Sequence, residues 1–116
     1  MSQRMQRVQK LARQVLGEEI QNLKDPRVGF ATVTAVRVTP DLRLARVFVS
    51  VMGTAEEQET SMKALQKAAP HLRAELGRQV RLKYSPELRF ELDHGPEEAQ
   101  RLEEILRTIH KEEKNE

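Results

Sequence analysis

Met62-Lys63-Ala64-Leu65-Gln66-Lys67-Ala68-Ala69-Pro70-His71-Leu72-Arg73-Ala74-Glu75-Leu76-Gly77 is the stretch whose reading decides the fold. Met62, Leu65, Ala68 or Ala69, Leu72 and Leu76 recur at helical spacing and form one apolar stripe. Pro70 falls inside that pattern. In a regular helix interior proline removes one backbone hydrogen bond and clashes with the preceding turn, at a cost of ~3 kcal/mol. A bend is therefore expected at Ala68, Ala69 and Pro70, followed by a short second helix that Gly77 closes as a left-handed C-cap. Upstream, Thr54-Ala55-Glu56-Glu57 fits a capping box, which sets the start of the first of these two helices.

Before this helix pair lie two runs rich in β-branched residues, 31–39 and 43–51, joined by Pro40-Asp41-Leu42. Turn chemistry at the junction predicts a hairpin. In the second run Ala45, Val47, Val49 and Val51 share a face; in the first, Val33 falls on the opposite face from Val36 and Val38. A bulge near Ala35 would reconcile the two halves. After the helix pair, residues 78–92 are expected to be extended, with Leu88, Phe90 and Leu92 alternating with Arg89 and Glu91 as a third strand. Met5, Val8, Ala12, Val15, Leu16, Ile20 and Leu23 mark a helix at the start, ended by Lys24-Asp25-Pro26. Ala99, Leu102, Ile105, Leu106 and Ile109 mark another at the end, with Pro96 placed to begin it. The order helix, strand, strand, kinked helix pair, strand, helix predicts an α+β domain with helices on one face of a three-stranded sheet. Residues 1–110 are read as this single domain and 111–116 as a polar, frayed tail.

The chain of 116 residues fits one domain with a core of its own. It has no cysteine, which removes disulfides, thiolate chemistry and zinc–cysteine sites and suits a reducing cytoplasm. The start, Met1-Ser2-Gln3-Arg4-Met5, lacks the apolar region of a signal peptide, and no run reaches the ~20 apolar residues of a membrane span. Net charge is only +2, yet the charges are segregated. Residues 1–15 carry Arg4, Arg7, Lys10 and Arg13 with no acid, and residues 62–91 carry seven cations against three glutamates. Residues 96–116 run the other way, with seven glutamates against four cations. A locally basic surface on a near-neutral chain points to a polyanionic partner.

Three stretches then resemble one family. Asp25-Pro26-Arg27-Val28-Gly29-Phe30, the hairpin from Thr32 to Ser50, and Leu72–Gly77 followed by Leu82–Phe90 are similar, in order, to ribosome-binding factor A, a bacterial small-subunit assembly factor. The resemblance implies a KH-type fold of the type II topology. It also implies binding to the free small (30S) subunit and its 16S rRNA, help in late maturation and 16S rRNA processing, and a role in growth in the cold. One departure stands out: the family's Ala-x-Gly kink is here Ala68-Ala69-Pro70. Proline bends a helix by a different mechanism and gives a stiffer kink with a missing amide.

An ordinary KH domain clamps single-stranded RNA with a GxxG loop. Gly17, Gly29, Gly53, Gly77 and Gly95 include no pair three apart, so that clamp is absent. Only Phe30, Phe48, Tyr84 and Phe90 are aromatic, too few for a stacking platform to dominate. Contact with phosphates and RNA shape is left, a salt-dependent mode with little sequence reading. Lys63, Lys67 and His71 step by four and would form one stripe leading to the kink. Arg73, Arg78, Arg81 and Lys83 continue the basic character, and Arg4, Arg7 and Lys10 form a second cluster. Arg43 and Arg46 rank lower because cross-strand pairing could occupy them, and Arg27 reads as a structural loop residue.

No P-loop, dinucleotide turn, Ser-His-Asp set or Cys-His set is present, and His71, His94 and His110 lack metal-ligand spacing. No enzyme, cofactor, metal or small-molecule substrate is expected, and a monomer is. The alternative is a protein–protein module in which the last helix packs on a partner. A processing nuclease would need a carboxylate cluster or a histidine pair that the sequence lacks.

Overall fold

The computed structural model describes residues 3–82 and 85–114. The chain runs α1 (Gln3–Gln21), a single 3-10 turn (Pro26–Val28), β1 (Ala31–Val38), β2 (Leu44–Val51), α2 (Ala55–Lys67), α3 (Ala69–Gln79), β3 (Glu87–Leu92) and α4 (Gly95–Lys114). The strands form one sheet in the order β1-β2-β3, with β1 antiparallel and β3 parallel to β2.

The hairpin pattern resolves as the alternation requires. The β1–β2 register shifts between Val33 and Ala35, so Thr34 is the extra residue of a bulge. Beyond it Val36 and Val38 turn inward beside Ala45, Val47, Val49 and Val51, all buried. The Thr34 hydroxyl donates to the Asp93 carboxylate at 2.7 Å, tying the bulge to the end of β3. The hairpin turn closes with Leu42 N–H donating to Thr39 O, while Asp41 accepts from the Thr39 hydroxyl and from Arg43 N–H. Leu42 adopts φ 62° there.

Helices α1, α2 and α3 cover one face of this sheet. Ala12, Leu16 and Ile20 from α1, Ala64 and Leu65 from α2, and Leu72 and Leu76 from α3 meet the strand residues in one core, completed by Leu88 and Phe90 of β3. Thr54 caps α2: its hydroxyl accepts from Glu57 N–H and the Glu57 carboxylate accepts from Thr54 N–H. Gly53 suits this approach, since its φ of +130° is one that side chains rarely adopt and an added Cβ would come within 3.1 Å of Glu57 Cβ.

Helix α2 ends at Lys67 and α3 begins at Ala69, with Pro70 in the first turn of α3. In that position the missing N–H would have had no helical partner, so the interior penalty does not arise. The C-cap expected at Gly77 is not there. Helix α3 continues to Gln79, and Val80, extended and buried, ends it. A Cβ on Gly77 would lie 3.7 Å from Ser85 Oγ, so this glycine sits beside the loop into β3 rather than at a turn. The third strand runs over Glu87–Leu92, where Leu88, Phe90 and Leu92 were expected to alternate, while Arg78 and Gln79, expected to be extended, belong to α3.

Both outer edges of the sheet are met by helix glutamines. Gln9 of α1 accepts from Val38 N–H at 2.9 Å, and Gln21 donates to Ala31 O. On the other side Gln66 of α2 donates to Leu88 O and accepts from Phe90 N–H, clipping β3. Helix α4 stands apart from this packing. Leu102, Ile105, Leu106 and Ile109 are 57%, 49%, 55% and 47% exposed, so the apolar stripe is not spent on the sheet. The helix runs on through Lys114, past the point at which a polar tail was expected.

Candidate nucleic-acid interface

The break between α2 and α3 faces the edge of the sheet. The two helices and β3 enclose an open groove of about 650 Å3, walled by Gln66, Ala69, Pro70 and Arg73 on the helix side and by Leu44, Glu87, Leu88 and Arg89 on the strand side. Arg73 reaches across the mouth and donates from its guanidinium to Ser85 O at 2.6 and 3.2 Å, which holds the entry to β3. Arg43 and Arg73 flank Ser85 and Glu87 in an adjoining hollow. Two arginines, Arg73 of α3 and Arg89 of β3, thus wall the kink groove with one carboxylate, Glu87, and Arg43, just before β2, joins Arg73 and Glu87 in the hollow beside it. Planar guanidinium forks of this kind match phosphate oxygens in pairs.

The sequence-derived candidates do not stay together. Lys63, Lys67 and His71 are exposed, but the helix breaks between Lys67 and His71, and none of the three walls the kink groove. Lys63 lies 3.2 Å from Glu59 and Arg78 is paired with Glu75, so an external anion competes there with an internal one. Arg73 is the one candidate cation in the groove. Arg4 and Arg81 meet at the rim of a smaller hollow floored by Val8, Leu42 and Leu82. Arg7 is exposed on α1 and walls none of these hollows. Lys10 lies with Arg13 and Arg37 in a groove between α1 and β1. Lys83 falls outside the described residues.

Arg89, Arg13 and Arg37 were not among the candidates, and Arg43 was ranked low. Arg37 and Arg89 are the single cations of β1 and β3, so no local run of charge marks them, and Arg13 ends the basic run of α1; only the fold sets them beside cations of other elements.

Two further arginines are held by carboxylates. Arg27 forks onto Asp25 with bonds of 3.0 and 2.8 Å. The Arg27 side chain, then its backbone N–H, holds the Asp25 carboxyl down at about 2. Arg46 forks onto Glu91 across β2 and β3 and lies 5.0 Å from the Phe48 ring centroid, and Glu91 is pushed below the usual carboxylate range by that hydrogen bond. The expectation of cross-strand pairing for Arg46 and of a loop role for Arg27 agrees with these contacts. Among the described residues no three His, Asp or Glu side chains gather as a metal site would require, and no helix is long and apolar enough to cross a membrane.

Comparison with known proteins fits the same picture. The family model for ribosome-binding factor A matches residues 4–106. Ribosome-binding factor A of Desulforamulus reducens is 41% identical over 114 residues, covering 97% of this chain and 95% of the relative. A solution structure of a Thermotoga maritima protein described as a putative ribosome-binding factor A superposes with a TM-score of 0.73 at 33% identity, over 82% of this chain and 92% of that one. Thermus thermophilus ribosome-binding factor A, as a homology model fitted into a cryo-electron microscopy map of a 30S complex, superposes with a TM-score of 0.60 at 36% identity, over 71% and 87%. Matched over nearly its whole length in sequence and over most of it in fold, the chain belongs to the ribosome-binding factor A family.

Proposed function

We propose that this protein is a cytoplasmic, KH-like RNA-binding module that docks on the free small ribosomal subunit through 16S rRNA. It assists late maturation of that subunit and processing of its rRNA, including at low temperature. The placement of Arg73 and Arg89 in the helix-kink groove, with Arg43 in the hollow that adjoins it, carries the reading. Pro70 takes over the bend in this scheme. The groove wall it leaves is rigid, and affinity comes from guanidinium–phosphate pairs rather than from a glycine backbone pressed against RNA. Family membership and the Thermus thermophilus relative fitted into a 30S complex support the choice of the small subunit as partner.

Sedimentation with free small subunits, large subunits and full ribosomes at two salt concentrations tests it. Retention on free small subunits alone, weakened by salt, is expected. Arg43→Gln with Arg89→Gln should lower the dependence of log affinity on log salt by about 1.5, since each phosphate contact contributes ~0.7–0.9. No retention on small subunits at low salt, mature or precursor, would sink the reading. Complementation of a deletion strain at low temperature tests the cold role.

The exposed stripe on α4 favours one addition: a second, protein–protein contact through Leu102, Ile105, Leu106 and Ile109. Removing α4 should then leave rRNA affinity unchanged while abolishing that contact.

A further inference from the structure

The groove between α1 and β1 lies at the sheet edge opposite the kink groove, because the strand order is β1-β2-β3. Its volume is about 440 Å3. Lys10 and Arg13, one turn apart on α1, form one wall, and Arg37 of β1 forms the other. The floor is the stretch of β1 just after the bulge at Thr34, where the strand bends and its twist increases. No carboxylate lines the groove, and among the described residues Lys10, Arg13 and Arg37 enter no ion pair. All three side chains are exposed, and Gln6 adds an uncharged polar group beside them. Three cations facing one hollow repel one another unless an anion is shared between them.

Accordingly, we propose that this groove is a second RNA-backbone site, so that the protein holds two separate stretches of rRNA, one at each edge of its sheet. The inference rests on the reading of the kink groove as an rRNA site. The two sites lie on either side of β2, roughly 10 Å of sheet apart, with helices further separating them. Two short stretches of backbone can occupy both without meeting. The charge balance selects a polyanion, and the absence of an apolar lining beyond Ala35 and Val36 argues against a folded protein surface.

Binding of the full chain to protein-free 16S rRNA across a salt series separates the outcomes. The variant Lys10→Gln, Arg13→Gln, Arg37→Gln should lower the salt slope by about 2. It should keep the wild-type melting temperature, because the three side chains are on the surface. A control that also removes three charges, Arg101→Gln, Arg107→Gln, Lys111→Gln on α4, should leave the slope near wild type. A groove variant with the wild-type slope overturns the proposal, and so does a control that falls as far as the groove variant. If the groove variant loses retention on small subunits yet keeps its slope on protein-free rRNA, the groove takes a ribosomal protein, which also overturns it. A reduced slope in the Arg43→Gln, Arg89→Gln variant beside an unchanged groove variant refutes this site alone. Absence of salt-dependent rRNA binding by the wild type refutes the kink-groove reading as well.

Discussion

Gln9 is 6% exposed, and its side-chain carbonyl is the acceptor for the N–H of Val38, itself buried on the outer edge of β1. Gln9→Met keeps the length of the side chain and makes it apolar. If burial of apolar surface alone governed the position, the change would stabilise, by at most ~1 kcal/mol for about one methylene equivalent. The opposing term is larger. A thioether is a weak acceptor, so the Val38 N–H is left without its partner, and an unsatisfied buried donor costs ~1–3 kcal/mol. The expected net effect is a loss of about 1–2 kcal/mol, or a melting temperature lower by roughly 3–6 °C per kcal/mol for a chain of this size. Denaturant unfolding measures it, with the slope of the transition unchanged. Amide exchange adds a local readout, since Val38 should lose protection before the core valines of β2. A Gln9→Met protein as stable as wild type, or more so, would refute the claim that this amide is held for its hydrogen bond.

Three further outcomes are expected. Asp25 is held at about 2 by Arg27, so its favourable contribution is complete above its ordinary value near 3.8 and fades as pH falls toward 2; an NMR titration of its carboxyl should show the low midpoint, and Arg27→Met should return it toward the ordinary value. Gly53→Ala places a side chain at φ +130° and 3.1 Å from Glu57 Cβ; a loss of about 1–3 kcal/mol is expected in denaturant unfolding, and a neutral result would mean that the turn relaxes freely. Deleting residues 95–116 removes a helix whose apolar stripe stays exposed, so the midpoint of the remaining chain should move by no more than about 0.5 kcal/mol, and a large drop would show that α4 contributes to the core.

Much of the fold was legible in the sequence because local rules and global packing agree. The reversal of face between Val33 and Val36 announces the bulge that the register shift contains. Thr54 and Glu57 mark the start of α2 by chemistry that needs no tertiary partner. Gly77 misled for the opposite reason: a glycine near a helix end signals a left-handed cap, but burying Val80 draws the helix on to Gln79. The candidate site was less legible. Counting steps of four treated Lys63, Lys67 and His71 as one helix, although the break at Ala68 divides them. The cations around the groove come from separate parts of the chain, Arg73 on α3 and Arg89 on β3 in the groove and Arg43, before β2, in the hollow beside it. Placement of that kind is a property of the sheet order and the parallel return of β3, and periodicity along the chain does not report it.

The glutamines along the sheet bear on how such a protein stays dispersed in a crowded cell. An open strand edge is a template on which another chain can grow, and the common deterrent is a charged gatekeeper pointing outward. Here a side-chain amide sits where the next strand's peptide group would be, copying its donor and acceptor at Gln66 on one edge and its acceptor at Gln9 on the other. An amide carries no charge. Glutamate in its place would repel a polyanion from the neighbouring grooves, and lysine would add another long cation to compete for it. Neutral mimicry of a missing strand guards the sheet edge against self-templating without altering the charge of the grooves beside it.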